Sequence, residues 1–263
     1  MKKIIIFTSD STRHKAFRIF ISNQKKVDVL RTYSERKQKK NENNNPGLLN
    51  HFKKRNAYEK VFFNKIIKKF KDRSNNKFCN KGYVSTKRCL KEVLDLNPDL
   101  IVVYGSSILK GKILNIFKKK ILNVHLGLSP YYRGSGTNVF PFVNNEPEFA
   151  GVTFMYINKE IDAGEVIHQF RSELDKDDNI HKIGNKMIIR MFSCYSKLIV
   201  GLDKIERKKQ IKSKINHYYK RKDFDQNKLN ILNKNFKKNF LKNYLIKKKF
   251  RDKKVKIIQQ SWL

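Results

Sequence analysis

Residues 121–164 hold an amide, an imidazole and a carboxylate at a spacing that lets them work together. The stretch opens with Ile-Leu-Asn-Val-His-Leu-Gly-Leu-Ser-Pro-Tyr-Tyr-Arg-Gly and closes with Gly-Val-Thr-Phe-Met-Tyr-Ile-Asn-Lys-Glu-Ile-Asp-Ala-Gly. Its first part reads as a strand presenting Asn123 and His125, two residues apart and so on the same side of a sheet. Its second part reads as an apolar strand, Val152 to Ile157, followed by a tight turn holding Asp162. An amide N–H and a protonated imidazole can both donate to a developing oxyanion. A carboxylate beside the imidazole favours its charged form. Open α/β sheets gather such groups at strand ends. Taken singly, each residue has a plainer reading: His125 as a half-buried histidine satisfied by a carbonyl, Asn123 as a turn residue, and Asp162 as a turn aspartate.

The elements that must position these groups read as α/β. Residues 2–7 and Val27–Tyr33 form the first two strands, with a helix carrying Ala16, Phe17, Ile19, Phe20 and Ile21 between them. Residues 35–46 are a polar loop rich in lysine and asparagine, and residues 47–70 show helical spacing of apolar side chains. A short strand is expected within Phe78–Val84, followed by a helix from Thr86 that stops at Asn97-Pro98. Leu100–Tyr104 is a continuous apolar run, as a central parallel strand reads. A helix is expected to start in the turn 131–137 and run through Phe142, a strand over 165–174, a long amphipathic helix over 180–205, and a further helix spanning Leu229 to Tyr244. Residues 1–206 then make the main domain and 207–263 a basic helical C-terminal extension.

In the first polar turn, Thr8–His14, hydroxyls, helix-start amides and Arg13 suit a phosphate or other anion. A plain helix cap by Ser11 or Thr12 suits it equally. The net charge of +37 points directly to an anionic partner, nucleic acid or a membrane surface. Lysine, however, supplies 47 of the 60 basic residues while alanine occurs 4 times. That is the imprint of an A/T-rich genome, and no nucleic-acid recognition motif accompanies it. The runs 247–249 and 253–254 read as solvated faces. No run of about 18 apolar residues appears, so no spanning helix is expected. The opening apolar run is too short for a signal peptide. Three cysteines without metal spacing suit a reducing cytoplasm. A homodimer is compatible with the sequence, although no residue argues for one.

Asn-x-His followed by Pro-x-Tyr-Arg-Gly, and later Gly-Val-Thr and Ile-Asp-Ala-Gly, resembles the formyltransferases that use 10-formyltetrahydrofolate. That family includes enzymes acting on glycinamide ribonucleotide, methionyl-tRNA and sugar nucleotides. The resemblance is good over roughly residues 80–175 and weak before them. It implies a Rossmann-like, mostly parallel open sheet with helices on both faces. It also implies transfer of a formyl group from N10 of tetrahydrofolate to a primary amine, with Asn123, His125 and Asp162 catalytic and no metal. By the same resemblance the turn Tyr104, Gly105, Ser106, Ser107, Ile108 and Leu109 holds the pterin ring. The acceptor then lies near Arg13 and His14 after the first strand, and near Tyr131, Arg133 and Gly134.

The acceptor follows less directly. The Gly-rich first loop of the glycinamide ribonucleotide enzymes is absent, and the C-terminal segment is too short for the barrel of the tRNA-modifying members. Gly127 and Ser129 depart from the Ser-Leu-Leu-Pro form common in the family. A nucleotide-linked amino sugar for surface-polysaccharide synthesis is therefore the expected acceptor. Initiator methionyl-tRNA is the alternative, and a basic nucleic-acid-binding protein that kept the fold without catalysis is the contrasting class.

Overall fold

The computed structural model describes residues 1–36, 45–158 and 162–263. The middle of the lysine- and asparagine-rich segment read as a loop, residues 37–44, lies outside the described residues, as do 159–161. In chain order the elements are β1 (Lys2–Ser9), α1 (Thr12–Ser22), β2 (Val27–Glu35), α2 (Pro46–Lys69), β3 (Asn76–Cys79), α3 (Lys87–Leu96), β4 (Leu100–Tyr104), α4 (Lys112–Ile116) and β5 (Ile121–His125). There follow β6 (Tyr132–Gly134), α5 (Phe140–Val143), β7 (Gly151–Tyr156), β8 (Val166–Arg171), α6 (Ile180–Val200), β9 (His217–Tyr219), α7 (Gln226–Lys237), α8 (Phe240–Ile246) and α9 (Lys248–Lys253).

The large sheet has the order β3-β2-β1-β4-β5-β7-β8. The first five strands are parallel, and β7 and β8 run antiparallel at the far side. Ile4 to Phe7 and Ile101 to Val102 are fully buried, as strands covered on both faces must be. Side chains alternate between two cores. Ile4, Ile6, Val102, Tyr104, Leu122 and Val124 face α1, α2 and α6, whereas Ile5, Phe7, Ile101, Val103 and Ile121 face α3 and α4. Strand order reverses between β1 and β4, which opens a crevice at their C-terminal ends. The Thr8 hydroxyl donates to the Tyr104 carbonyl across that crevice at 2.7 Å.

Several helices start where their caps dictate. Asn45 caps α2 ahead of Pro46, Thr86 caps α3, Asn179 caps α6 and Asp225 caps α7. The structure departs from the sequence reading in four places. The third strand ends at Cys79, and residues 83–85 form a 3-10 turn. The segment 131–137 holds the short strand β6 rather than a helix start, because Tyr132–Gly134 pairs in parallel with β9. The long helix ends at Val200, before a 3-10 turn over Leu202–Lys204. The last long helix breaks at Asn239, whose φ of +53° lies in the left-handed region.

The C-terminal segment packs tightly on the rest. Leu229 and Leu232 of α7 and Phe240, Leu241 and Tyr244 of α8 share a third core with Leu128, Tyr131, Tyr132, Phe140 and Phe142. Tyr219 of β9 stacks on Phe140 at 3.6 Å between ring centres. Beyond α9 the chain returns to β8, where the Gln169 N–H donates to the Ile258 carbonyl at 2.6 Å. This covers the outer edge of β8, which would otherwise expose unpaired backbone.

Candidate active site

β5 brings Asn123 and His125 to the C-terminal side of the parallel strands. Asn123 sits between Val103 of β4 and Met155 of β7, and His125 lies opposite Thr153. Leu122 and Val124, which alternate with them, are held in the core beneath α6. The Tyr195 hydroxyl of α6 accepts from the Val103 N–H at 3.2 Å and donates to the Leu122 carbonyl. The backbone just before Asn123 is thus pinned from below. The Asn123 side chain is half-buried, and among the described residues no hydrogen bond occupies its amide.

His125 is 8% exposed and has an oxygen at each ring nitrogen. Nδ1 lies 3.3 Å from Oδ2 of Asp162, and Nε2 lies 3.0 Å from the Tyr132 carbonyl. A doubly protonated ring can donate to both. Asp162 is fixed in turn. Its Oδ2 accepts the Gly134 N–H at 2.9 Å, and its carbonyl accepts from Gln210 at 2.7 Å. Its φ of +52° is one that aspartate tolerates better than most side chains. The imidazole and carboxylate read from the sequence therefore stand together, and Asn123 lies two residues before His125 on the same strand.

The turn after β5 holds this arrangement. A Cβ on Gly127 would lie 2.6 Å from Nε2 of His125 and 2.7 Å from Cβ of Thr137. At the glycine that departs from the common family form, the ring and Thr137 thus occupy the space a Cβ would take. Thr153 donates its hydroxyl to the Gly127 carbonyl and accepts from the Ser129 N–H and from Gln169. Gln169 also donates to the Ser129 carbonyl at 2.7 Å, while its side-chain oxygen accepts the Ile258 N–H at 2.9 Å. Thr153, Gln169 and Gln210 were not singled out in the sequence. The signal for the first two was a polar residue inside an apolar strand, where burial demands partners.

Across the sheet, the turn after β4 begins at Gly105, whose φ is +77°. A Cβ there would lie 2.2 Å from Nε2 of His14. His14 is buried, with Nδ1 against the hydroxyls of Ser9 and Ser11, and its ring meets Tyr104 edge-on at 4.5 Å. His14 and Tyr104 therefore brace the strand ends from the α1 side. Leu109 is a core residue, whereas Ile108 is 62% exposed. Ser107 donates its N–H and its hydroxyl to Glu35 at 2.6 and 2.9 Å, and Gly82 donates its N–H to the same carboxylate at 2.7 Å. Glu35 is a further residue that the sequence reading missed. In the sequence it reads only as the start of a polar loop.

The remaining expected residues are spread out. Arg13 pairs with Glu59 of α2 at 3.2 Å. Tyr131 is buried against Phe149 and donates its hydroxyl to the Lys256 carbonyl at 2.9 Å. Arg133 donates to Asn216 at 3.2 Å. Gly134 acts through its backbone N–H to Asp162. The three cysteines are buried and free, and burial pushes their thiols up, to about 11 for Cys79 and about 12 for Cys89 and Cys194. None is suited to serve as a nucleophile at neutral pH.

Residues 2–197 match the family model described as formyl transferase. The chain belongs to the formyl transferase family. A methionyl-tRNA formyltransferase of Finegoldia magna is 36% identical over 115 residues, which are 41% of this chain and 36% of that protein. One from Clostridioides difficile is 39% identical over 95 residues, 36% of this chain and 30% of that protein. The matched stretch thus spans well under half of these curated relatives. Among solved structures, a 4-N formyltransferase from Francisella tularensis superposes with a TM-score of 0.58 at 21% identity, covering 88% of this chain and 86% of that one. A phosphoribosylglycinamide formyltransferase from Anaplasma phagocytophilum gives 0.57 at 16% identity, covering 84% and 98%. At that identity the formyl transferase fold is what the superpositions establish.

Proposed function

We propose that this formyl transferase moves a formyl group from 10-formyltetrahydrofolate to a primary amine, on a nucleotide-linked amino sugar. The observation that carries the reaction is the His125–Asp162 pair at the end of β5, with Asn123, whose amide has no hydrogen bond among the described residues, two residues before it on the strand. The amine nitrogen attacks the formyl carbon, a C–N bond forms and the formyl oxygen becomes an oxyanion. The Asn123 amide donates to that oxygen. The His125 ring, held next to the Asp162 carboxylate, supplies an N–H. Its Nε2 faces the Tyr132 carbonyl in the structure, so donation to substrate exchanges that acceptor for the oxyanion. Catalytic hydrogen bonds commonly rearrange in this way when a site fills. The attacking nitrogen then loses a proton, the bond to N10 breaks and N10 gains a proton. The products are the formamide and tetrahydrofolate. Asp162, beside His125, is placed to orient the ring or a water through which those protons pass.

On the donor side the turn 105–109 offers backbone groups and the exposed Ile108 to a flat heteroaromatic ring. A sugar acceptor is supported by the first-strand loop, which lacks glycine, and by the residues 216–219, which lie beside Arg133 and β6. The methionyl-tRNA reading is favoured by the curated relatives and the net charge of +37. The deciding assay is release of tetrahydrofolate from 10-formyltetrahydrofolate in the presence of nucleotide-linked 3-amino and 4-amino sugars, charged initiator tRNA, or glycinamide ribonucleotide. Turnover with one sugar establishes the reading. Turnover with tRNA alone replaces the acceptor. No donor binding and no turnover with any acceptor removes the reaction.

A further inference from the structure

The His125–Asp162 pair leans on β6 at two points. Nε2 of His125 meets the Tyr132 carbonyl at 3.0 Å, and Oδ2 of Asp162 accepts the Gly134 N–H at 2.9 Å. β6 is three residues long and cannot hold such a position by itself. It pairs with β9, with Tyr132 opposite His217 and Gly134 opposite Tyr219. The contact continues at both ends. The His217 N–H donates to the Tyr131 carbonyl and the Ser135 N–H to the Tyr219 carbonyl, each at 2.8 Å. The two backbones are so close that a Cβ on Gly134 would lie 2.2 Å from the Tyr219 carbonyl oxygen. A strand of the C-terminal segment thus backs the strand on which the pair rests.

A polar cluster ties the two strands together. Tyr132 is fully buried, and a buried hydroxyl needs partners. Its hydroxyl donates to Glu146 and accepts from the Asn144 amide at 2.8 Å. The same amide nitrogen donates to the Tyr219 hydroxyl at 2.9 Å. Asn144 therefore holds one tyrosine of each strand. Glu146 adds a weaker tie, with Oε2 lying 3.7 Å from Nε2 of His217. Asn144 follows directly on α5, whose Phe140 and Phe142 are fully buried. Its amide is thus presented from a packed element, which is what precise support of a site requires.

We infer that Asn144 is a positioning residue for formyl transfer: by tying Tyr132 to Tyr219 it fixes the carbonyl and the N–H of β6 that hold His125 and Asp162. This deepens the proposed function and rests on it for the reaction, though not for the placing of the ring. The Tyr132 ring and the carbonyl that His125 meets belong to one residue, so a shift of the first moves the second. Misplacing a catalytic group by about 1 Å can cost about 100-fold in rate. The Gly134 bond to Asp162 takes no part in the exchange proposed for Nε2, so β6 holds the pair in the filled site as well.

The test compares Asn144→Ala with Asn235→Ala in the full chain. Asn235 of α7 also uses its amide nitrogen for two bonds, to the carbonyls of Phe142 and Val143 at 2.8 and 3.0 Å. Those bonds tie α7 to α5 and leave β6 and β9 alone. Both variants are expected to lower the melting temperature by similar amounts. Assayed well below it, Asn144→Ala should lower kcat about tenfold or more with KM for 10-formyltetrahydrofolate unchanged, and Asn235→Ala should turn over as the wild type does. Tyr219→Phe keeps the stack on Phe140 and loses one of the two bonds, so it should show a smaller loss of the same kind. It decides the question if Asn144→Ala does not fold. A second readout needs no turnover. The side-chain nitrogen resonances of His125, identified among the six histidines by their absence in His125→Gln, should move in Asn144→Ala and Tyr219→Phe and stay in place in Asn235→Ala. Resonances that stay in place in all three variants overturn the positioning role, and so does a kcat that falls equally in Asn144→Ala and Asn235→Ala; with formyl transfer intact in the wild type, the transferase reading then stands. Resonances that move in the expected pattern, in a protein that transfers a formyl group to no acceptor, support the placing of the ring by Asn144 and remove the transferase reading.

Discussion

Glu35 accepts two hydrogen bonds from Ser107, one from its N–H at 2.6 Å and one from its hydroxyl at 2.9 Å. The carboxylate at the end of β2 thereby fixes the turn that follows β4, two strands away in the sheet. Replacing Glu35 by alanine leaves two backbone N–H groups, of Ser107 and Gly82, without their acceptor. The expected cost is about 1–3 kcal/mol of stability, measurable by urea unfolding. If the turn holds the donor, KM for 10-formyltetrahydrofolate rises and KM for the acceptor does not. Glu35→Gln keeps one oxygen acceptor and should recover part of the donor affinity. Equal shifts in both KM values would reduce Glu35 to a general support of the fold.

Asn123→Ala separates catalysis from stability. The amide makes no hydrogen bond among the described residues, so its removal leaves the melting temperature within a degree or two of wild type, about 0.5 kcal/mol or less. Loss of an oxyanion donor lowers kcat by about 100- to 1000-fold. A variant that retains most of its kcat would take Asn123 out of the mechanism.

Asp162→Asn tests the carboxylate next to His125. The amide is nearly isosteric and can still accept the Gly134 N–H, but it no longer brings a negative charge to within 3.3 Å of Nδ1. The expected loss is about 100-fold in kcat, the range for a general acid–base partner, with KM for either substrate little changed. Single-turnover formyl transfer at saturating substrates reads the chemical step. An unchanged rate there excludes the charge of Asp162 from that step.

Gly127→Ala addresses the scaffold. The added methyl meets the His125 ring and Thr137 at under 3 Å, and the opposing atoms belong to packed, hydrogen-bonded groups. Overpacking of this kind costs about 1–3 kcal/mol. Displacement of the ring should also depress activity more than it depresses the melting temperature. A variant with normal turnover would show that the turn yields without moving His125.

The central strands, and the placing of Asn123 and His125 on one side of β5, were legible in the sequence because those depend on local pattern. Leu100–Tyr104 announces a buried strand by its unbroken apolar run, and Asn123 and His125 share a face through the two-residue period alone. What stayed hidden depends on contacts across long separations. β6 exists only because residues 217–219 come back to pair with Tyr132–Gly134. Glu35 gains its role from Ser107, 72 residues away, and Gln169 from Ile258, 89 residues away. His14 looked like a ligand-facing residue of a polar turn, yet Gly105 leaves the space that lets its ring sink beneath the turn after β4. A pattern in one segment cannot report the partner that another segment supplies.

Buried histidines set the acid limit of the fold. His51 and His168 are under 10% exposed and His181 is half-buried, and burial, the main cause in each, pulls all three down to about 4. For His51 and His181 the charges of Arg55 and Lys54 add to the effect, and for His168 the charge of Arg190 does. The unfolded chain takes up these protons near pH 6.5 and the folded chain only near pH 4. Between those values the unfolded state binds more protons, so stability rises with pH across the window and falls as pH is lowered through it. Above pH 6.5 the three groups are neutral in both states, and their contribution is constant. Urea unfolding between pH 7.5 and 4.5 should show a falling midpoint that begins near pH 6.5. His168→Gln removes one titrating group while keeping a polar side chain opposite the Gln260 N–H, and its midpoint should fall less steeply over the same range. A wild-type midpoint that is flat from pH 7.5 to 4.5 would mean that these rings accept protons without opposing the fold.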